Sequence, residues 1–165
     1  MKIAICQLNT VWECKNENLD KIERILFDIK QFDSDVELGI FPEFFTTGFS
    51  FNPELPEQMS GFSVSRLVEI SKATGMALIG SIPIMDKGVY YNRQMLIDGS
   101  DIQYYDKRHI FRYGGEDRLF KQGEKRVIFK FKEFRILPQV CYDLRFPVWS
   151  RVVNNDYDLV IWSAN

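Results

Sequence analysis

The hydrophobic positions switch between two periods along the chain, and the switch points divide it into strands and helices. Ile3 to Leu8 is a short apolar run suited to a buried strand. From Glu17 to about Phe32, Leu19, Ile22, Ile25, Leu26 and Ile29 follow helical spacing, with Asn16 placed to cap the helix. A second strand runs from about Val36 to Phe41 and ends at Pro42-Glu43. After a loop holding Gly48, Pro53 and Pro56, a helix over Phe62–Thr74 stops at Gly75. Strands follow near Met76–Met85 and Val89–Ile97, joined by the turn Asp86-Lys87-Gly88. The turn Asp98-Gly99-Ser100 leads into the strand Ile102–Asp106, which delivers Lys107. Arg108 to Gly123 has weak periodicity and reads as a long loop, a length at which loops are commonly functional. Strands at Arg126–Phe131 and Phe134–Val140, a short helix near Pro147–Asn154 and a last strand at Leu159–Trp162 complete the order. The central run of strands without helices needs a second sheet behind it, so the expected class is α/β with two packed sheets.

Composition narrows this further. With 165 residues, 45% of them hydrophobic, the chain suits one domain with a sizeable core rather than a disordered segment. No apolar run reaches the ~18 residues of a membrane-spanning helix, and the N-terminus turns polar too soon for a signal peptide. Cys6, Cys14 and Cys141 are an odd count at irregular spacing, which predicts free thiols in a reducing cytoplasm. With one histidine, His109, and no Cys-x-x-Cys pair, neither a structural zinc site nor a three-histidine zinc site is expected. Residues 104–135 carry ten Lys/Arg against five Asp/Glu. Nucleic acid is one reading of that excess; a solvated hairpin, with Lys130 and Lys132 alternating with phenylalanines, is the preferred one.

Three residues carry candidate chemistry. Cys141 follows the apolar run Ile136–Val140 and precedes Tyr142-Asp143-Leu144-Arg145-Phe146-Pro147, a strand running into a polar turn and a helix-opening proline. Glu43 and Lys107 also end strands. A lysine about 4 Å from a thiolate favours it by roughly 4 kcal/mol at an effective dielectric near 20, and a carboxylate at equal distance opposes it by as much. The pair therefore does not make a standing thiolate. A division of labour uses both: Glu43 takes the thiol proton as attack begins, and Lys107 stabilises the oxyanion. The Tyr142 backbone N–H is placed as a second oxyanion donor. The chemistry expected is acyl transfer from an amide-like C–N bond to water. A Cys141–His109 dyad is the alternative within this class. Outside it stand a non-catalytic binding module and the nucleic-acid binder.

At these residues the chain resembles the carbon–nitrogen hydrolase (nitrilase) superfamily. Phe41-Pro42-Glu43-Phe44-Phe45-Thr46-Thr47-Gly48-Phe49 resembles its glutamate motif, Tyr105-Asp106-Lys107-Arg108-His109-Ile110-Phe111 its lysine motif, and Val140-Cys141-Tyr142-Asp143-Leu144-Arg145-Phe146-Pro147 its cysteine motif. The resemblance implies a four-layer α-β-β-α sandwich and a Glu43, Lys107, Cys141 triad. It also implies a second glutamate after the lysine motif, a place that Glu116 fits, with Asp117 beside it. The glutamate and cysteine motifs look most like those of omega-amidases, which release ammonia from 2-oxo acid amides such as 2-oxoglutaramate; nitrilases and N-carbamoyl hydrolases share the motifs. That substrate carries a carboxylate, for which Arg112, Arg118 and Arg145 are candidates. Phe44, Phe45 and Tyr142 are candidate pocket walls. The resemblance further implies a small-molecule amide substrate, no organic cofactor, no metal, no nucleic acid and no membrane, and a homodimer or higher homo-oligomer in the cytoplasm. Members of the superfamily run to roughly 250 residues, within single-domain range. The chain is therefore expected to be the N-terminal part of a longer domain, truncated near Asn165.

Overall fold

A computed structural model describes residues 1–165. Five strands form the larger sheet in sequence order: β1 (Lys2–Ile5), β2 (Val36–Ile40), β3 (Ala77–Asp86), β4 (Val89–Asp98) and β5 (Asp101–Asp106). The first three run parallel and the last three antiparallel. The smaller sheet holds β6 (Phe129–Phe131), β7 (Phe134–Val140) and β8 (Leu159–Ser163), with β7 antiparallel to β6 and parallel to β8. The helices α1 (Lys15–Phe32) and α2 (Phe62–Thr74) supply the two crossovers that the parallel strands require.

Period-two alternation sorts each central strand between two cores. Leu78, Ile82, Ile84, Met95 and Ile97 face the helices, where they meet Leu19, Ile22 and Leu26 of α1 and Val64, Leu67 and Ile70 of α2. Ala77, Ile79 and Leu96 face the smaller sheet, against Phe129, Phe131, Ile136, Val140 and Ile161. The result is a helix layer, a five-stranded sheet and a three-stranded sheet stacked in that order, as the doubled-sheet expectation required. A short helix, α3 (Pro147–Ser150), follows the smaller sheet's central strand. The basic hairpin is as expected: Phe129 and Phe131 point into the inter-sheet core while Lys130 is exposed.

Several boundaries differ from the sequence expectation. The first helix starts at Lys15 and Asn16 lies inside it; Asn18 does the fastening instead. Its buried side chain bonds the Val11 N–H and carbonyl and the Thr46 carbonyl at 2.7–2.9 Å. The helix expected over Pro147–Asn154 ends at Ser150. Arg126 takes the Trp149 and Arg151 carbonyls, and Tyr157 takes that of Ser150, so the helical ladder loses its acceptors. The strand expected from Arg126 starts only at Phe129.

Candidate active site

Glu43, Lys107 and Cys141 each sit just beyond a strand, where the chain leaves the ladder and a side chain can turn into the space above the sheet. Past β2, Pro42-Glu43 stays tied to β3: Phe41 N–H donates to the Ile79 carbonyl at 2.7 Å, and Phe44 N–H to Ser81 Oγ at 3.1 Å. Phe44 then adopts a left-handed φ of 49°, which starts the turn whose Gly48 N–H returns to the Phe44 carbonyl. Past β5, Lys107 N–H donates to the Asn92 carbonyl on β4 at 2.9 Å. The Arg108–Gly123 loop holds two short 3-10 turns, Arg112–Gly114 and Glu116–Arg118, hinged at Gly115 with φ 82°. The second delivers Glu116 inward, and Glu116 Oε2 is fixed by the Phe111 N–H at 2.7 Å. Past β7, Cys141 opens a 3-10 turn, Cys141–Arg145, with φ +39°. A non-glycine residue there is strained, and the turn lifts the Cys141 side chain out of the strand it follows.

The structure brings Glu43, Lys107 and Glu116 into direct contact. Lys107 Nζ lies 2.8 Å from Glu43 Oε1, and 2.8 and 3.1 Å from the two oxygens of Glu116. All three are buried. Asn92 closes the ring, its Nδ2 donating to Glu43 Oε1 at 2.8 Å and Glu116 Oε1 at 2.9 Å. Glu43 Oε2 is buried and has no partner. Asn165 adds a contact from the far end of the chain, its side-chain amide donating to the Glu43 carbonyl at 3.4 Å.

Burial and charge act against one another here. Burial pushes the Glu43 carboxyl above the ordinary range, with Lys107 pulling it back down. For Lys107, burial favours the neutral amine, yet Glu43 and Glu116 together outweigh it and hold the ammonium above its usual value. The Cys141 thiol is pushed up to about 11, first by burial and then by the Glu43 carboxylate, with Lys107 opposing. Cys141 is thus electrostatically coupled to both members of the ion pair and is protonated at neutral pH. The arrangement can take a proton from sulfur during attack and hold a developing oxyanion; it does not store a thiolate.

Other expectations fare differently. His109 does not pair with Cys141: its Nδ1 lies 2.7 Å from Asp143 Oδ1, and its ring stacks on Phe146. Phe45 is not a pocket wall. It is 2% exposed and lies in the helix-side core, stacked on Phe41 at 5.1 Å between ring centroids. Phe44 is buried against Phe49 and Phe120. Tyr142 is half-buried, its ring between Phe111 and Phe146. Arg145, Arg112 and Arg118 are exposed. Arg112 lines a cavity of about 500 Å³ that it shares with Arg108, His109 and Tyr142; Arg145 does not line it. Asn92 and Asp143 are buried site residues that motif reading passed over. The signal for Asn92 was the polar triplet Asn92-Arg93-Gln94 inside an otherwise apolar strand. Asp143 had none that separates it from a solvated turn charge.

No helix is long and apolar enough to cross a membrane. Comparison with known proteins gives one consistent placement. The family model described as carbon-nitrogen hydrolase matches residues 2–163. The chain is 36% identical over 166 residues to the omega-amidase YafV of Escherichia coli (strain K12), covering 100% of this chain and 63% of that protein. It is 27% identical over 154 residues to the 2-oxoglutaramate amidase of Bacillus subtilis (strain 168), covering 90% of this chain and 58% of that protein. Among solved structures, XC1258 from Xanthomonas campestris, a CN-hydrolase superfamily protein with an arsenic adduct in its active site, superposes with a TM-score of 0.91 at 35% identity. That match covers 99% of this chain and 64% of the other. The chain therefore spans a little under two thirds of the length of these relatives. A match over nearly every residue, on the fold and motifs described above, settles the kinship: the chain belongs to the carbon-nitrogen hydrolase family.

Proposed function

We propose that this protein is an amidase of the omega-amidase kind, which hydrolyses the terminal amide of a small 2-oxo acid amide through a thioester on Cys141. The observation that carries the reading is the buried cluster in which Lys107 binds both Glu43 and Glu116 while Glu43, whose carboxylate raises the Cys141 thiol pKa, keeps Oε2 without a hydrogen-bond partner. Glu43 takes the thiol proton as Sγ bonds to the amide carbon, and Lys107 and the Tyr142 N–H hold the oxyanion. The proton passes to the leaving nitrogen, the C–N bond breaks and ammonia departs. Water then adds to the thioester, Glu43 accepts its proton, and the C–S bond breaks to return the thiol and a carboxylic acid. Glu116 fixes Lys107 and the loop that borders the cluster. The relatives named for omega-amidase and 2-oxoglutaramate amidase activity support the choice of substrate class. The reading treats residues 1–165 as part of a carbon–nitrogen hydrolase domain that works with no metal or organic cofactor.

The test is ammonia release from 2-oxoglutaramate, a simple nitrile and an N-carbamoyl amino acid, assayed in parallel. The expected result is turnover of the oxo-acid amide, abolished in Cys141→Ala, with a thioester on Cys141 trapped by mass spectrometry. Turnover of the nitrile or carbamoyl compound alone would reassign the substrate, and full activity in Cys141→Ala would end the reading. We also infer a cytoplasmic homo-oligomer, supported by three free thiols and by the exposed apolar side chains Leu144, Val148, Val152 and Val153 along one segment. Sedimentation of the intact protein checks the assembly.

A further inference from the structure

Asp143 is buried, and the catalytic reading gives it no task. Its carboxylate accepts four hydrogen bonds. Oδ2 receives the Val140 N–H at 3.0 Å and the Tyr105 hydroxyl at 2.9 Å. Oδ1 receives the His109 backbone N–H at 2.9 Å and its Nδ1 at 2.7 Å. The direction of the Tyr105 bond is fixed, because that oxygen already accepts from the Arg108 N–H at 3.0 Å and from Trp149 Nε1 at 3.1 Å. Its own hydrogen goes to Asp143. Four donors thus converge on a group whose ionised form has about four lone-pair sites and no donor. The Nδ1 contact likewise places a hydrogen on that ring nitrogen.

The partners lie on both sides of the proposed chemistry. Val140 immediately precedes Cys141, and its N–H bond to Asp143 closes the turn that carries the nucleophile at its strained φ of +39°. Tyr105 and His109 stand two residues before and two residues after Lys107. One carboxylate therefore grips the backbone of the thiol and brackets the backbone of the ammonium. We propose that Asp143 is a positioning residue: with His109 and Tyr105 it forms a brace that sets Cys141 against Lys107 and Glu43. The proposal rests on the amidase reading for its kinetic consequence and on geometry alone for its effect on the thiol.

The experiment compares Asp143→Asn with the parent protein in two assays. Asparagine keeps the size but turns two of the four acceptor sites into donors that face donors. The first assay follows alkylation of Cys141 by iodoacetamide as a function of pH, mapped by mass spectrometry, with Cys14 in the same molecule as reference. The brace predicts that the Cys141 midpoint of the variant departs from that of the parent protein while Cys14 is unchanged. The second measures kcat and KM on the amide; a displacement near 1 Å predicts a fall of about 100-fold in kcat, with KM changed by less. A packing role alone predicts a lower melting temperature with a superimposable Cys141 profile and unaltered kcat per folded molecule, and that result overturns the proposal. His109→Ala, which removes the Nδ1 bond and keeps the backbone one, decides the matter if Asp143→Asn does not fold. Its Cys141 profile must itself shift from that of the parent protein, and an unshifted profile overturns the brace. Absence of amide turnover in the parent protein would count against the amidase reading, while the alkylation profiles still decide the brace.

Discussion

The two oxygens of Glu43 differ in what they touch: Oε1 accepts from Lys107 and Asn92, whereas Oε2 has no partner. A general base needs an oxygen of that second kind. Glu43→Gln retains the Oε1 contacts and removes the proton acceptor, so kcat should fall by about 10²–10⁴-fold; a loss below about threefold would place the base elsewhere. Burial raises the Glu43 pKa, so the acid limb of kcat/KM should lie above the ordinary glutamate value of about 4.3. Activity should fall as pH drops through that raised value, because the protonated carboxyl cannot accept the thiol proton. A pH profile of kcat/KM checks the limb. At this scale the sequence was informative where a residue ends a strand, as with Glu43, Lys107 and Cys141. It was silent where burial is decided by distant chain: nothing local says that Asp143 faces Tyr105 rather than water, or that Phe45 turns toward the helices.

Strands and helices were legible because their periods are local, and their ends were less so because ends answer to other elements. The last helix stops at Ser150 on account of Arg126 and Tyr157, which no window around Pro147 contains. Close approach between elements gives a prediction at this scale. A Cβ on Gly80 of β3 would stand 2.7 Å from the Phe45 ring and 2.9 Å from Phe41 Cβ. Gly80→Ala should therefore cost about 1–3 kcal/mol, read from denaturant unfolding. A second concerns the junction of β7 and β8. Arg135 on β7 binds Asp158, the residue before β8, and holds its carboxyl down at about 2. That pairing adds stability above the unfolded aspartate value of roughly 3.9 and loses it as pH falls toward the folded one. Asp158→Asn should remove that part of the acid sensitivity, which melting temperatures across this pH range would show.

The whole molecule is two cores separated by the larger sheet, and the candidate site sits where both sheets end. Leu26→Ala in the helix-side core and Ile136→Ala between the sheets should each cost about 2–5 kcal/mol. Only the second lies on the strand that ends in Cys141, so only it should also lower turnover per folded molecule. The doubled sheet was legible from the run of strands without helices; the partners across it were not, since Gln94 reaching Ser163 joins residues 69 positions apart. That separation has a bearing on the ring around Lys107, whose members come from positions 43, 92, 107 and 116 and face a sulfur at 141. A nascent chain still on the ribosome carries these as five ordinary side chains. The proposed chemistry needs all five brought together across the two sheets, so on dilution from denaturant the recovery of turnover should trail the recovery of far-ultraviolet dichroism.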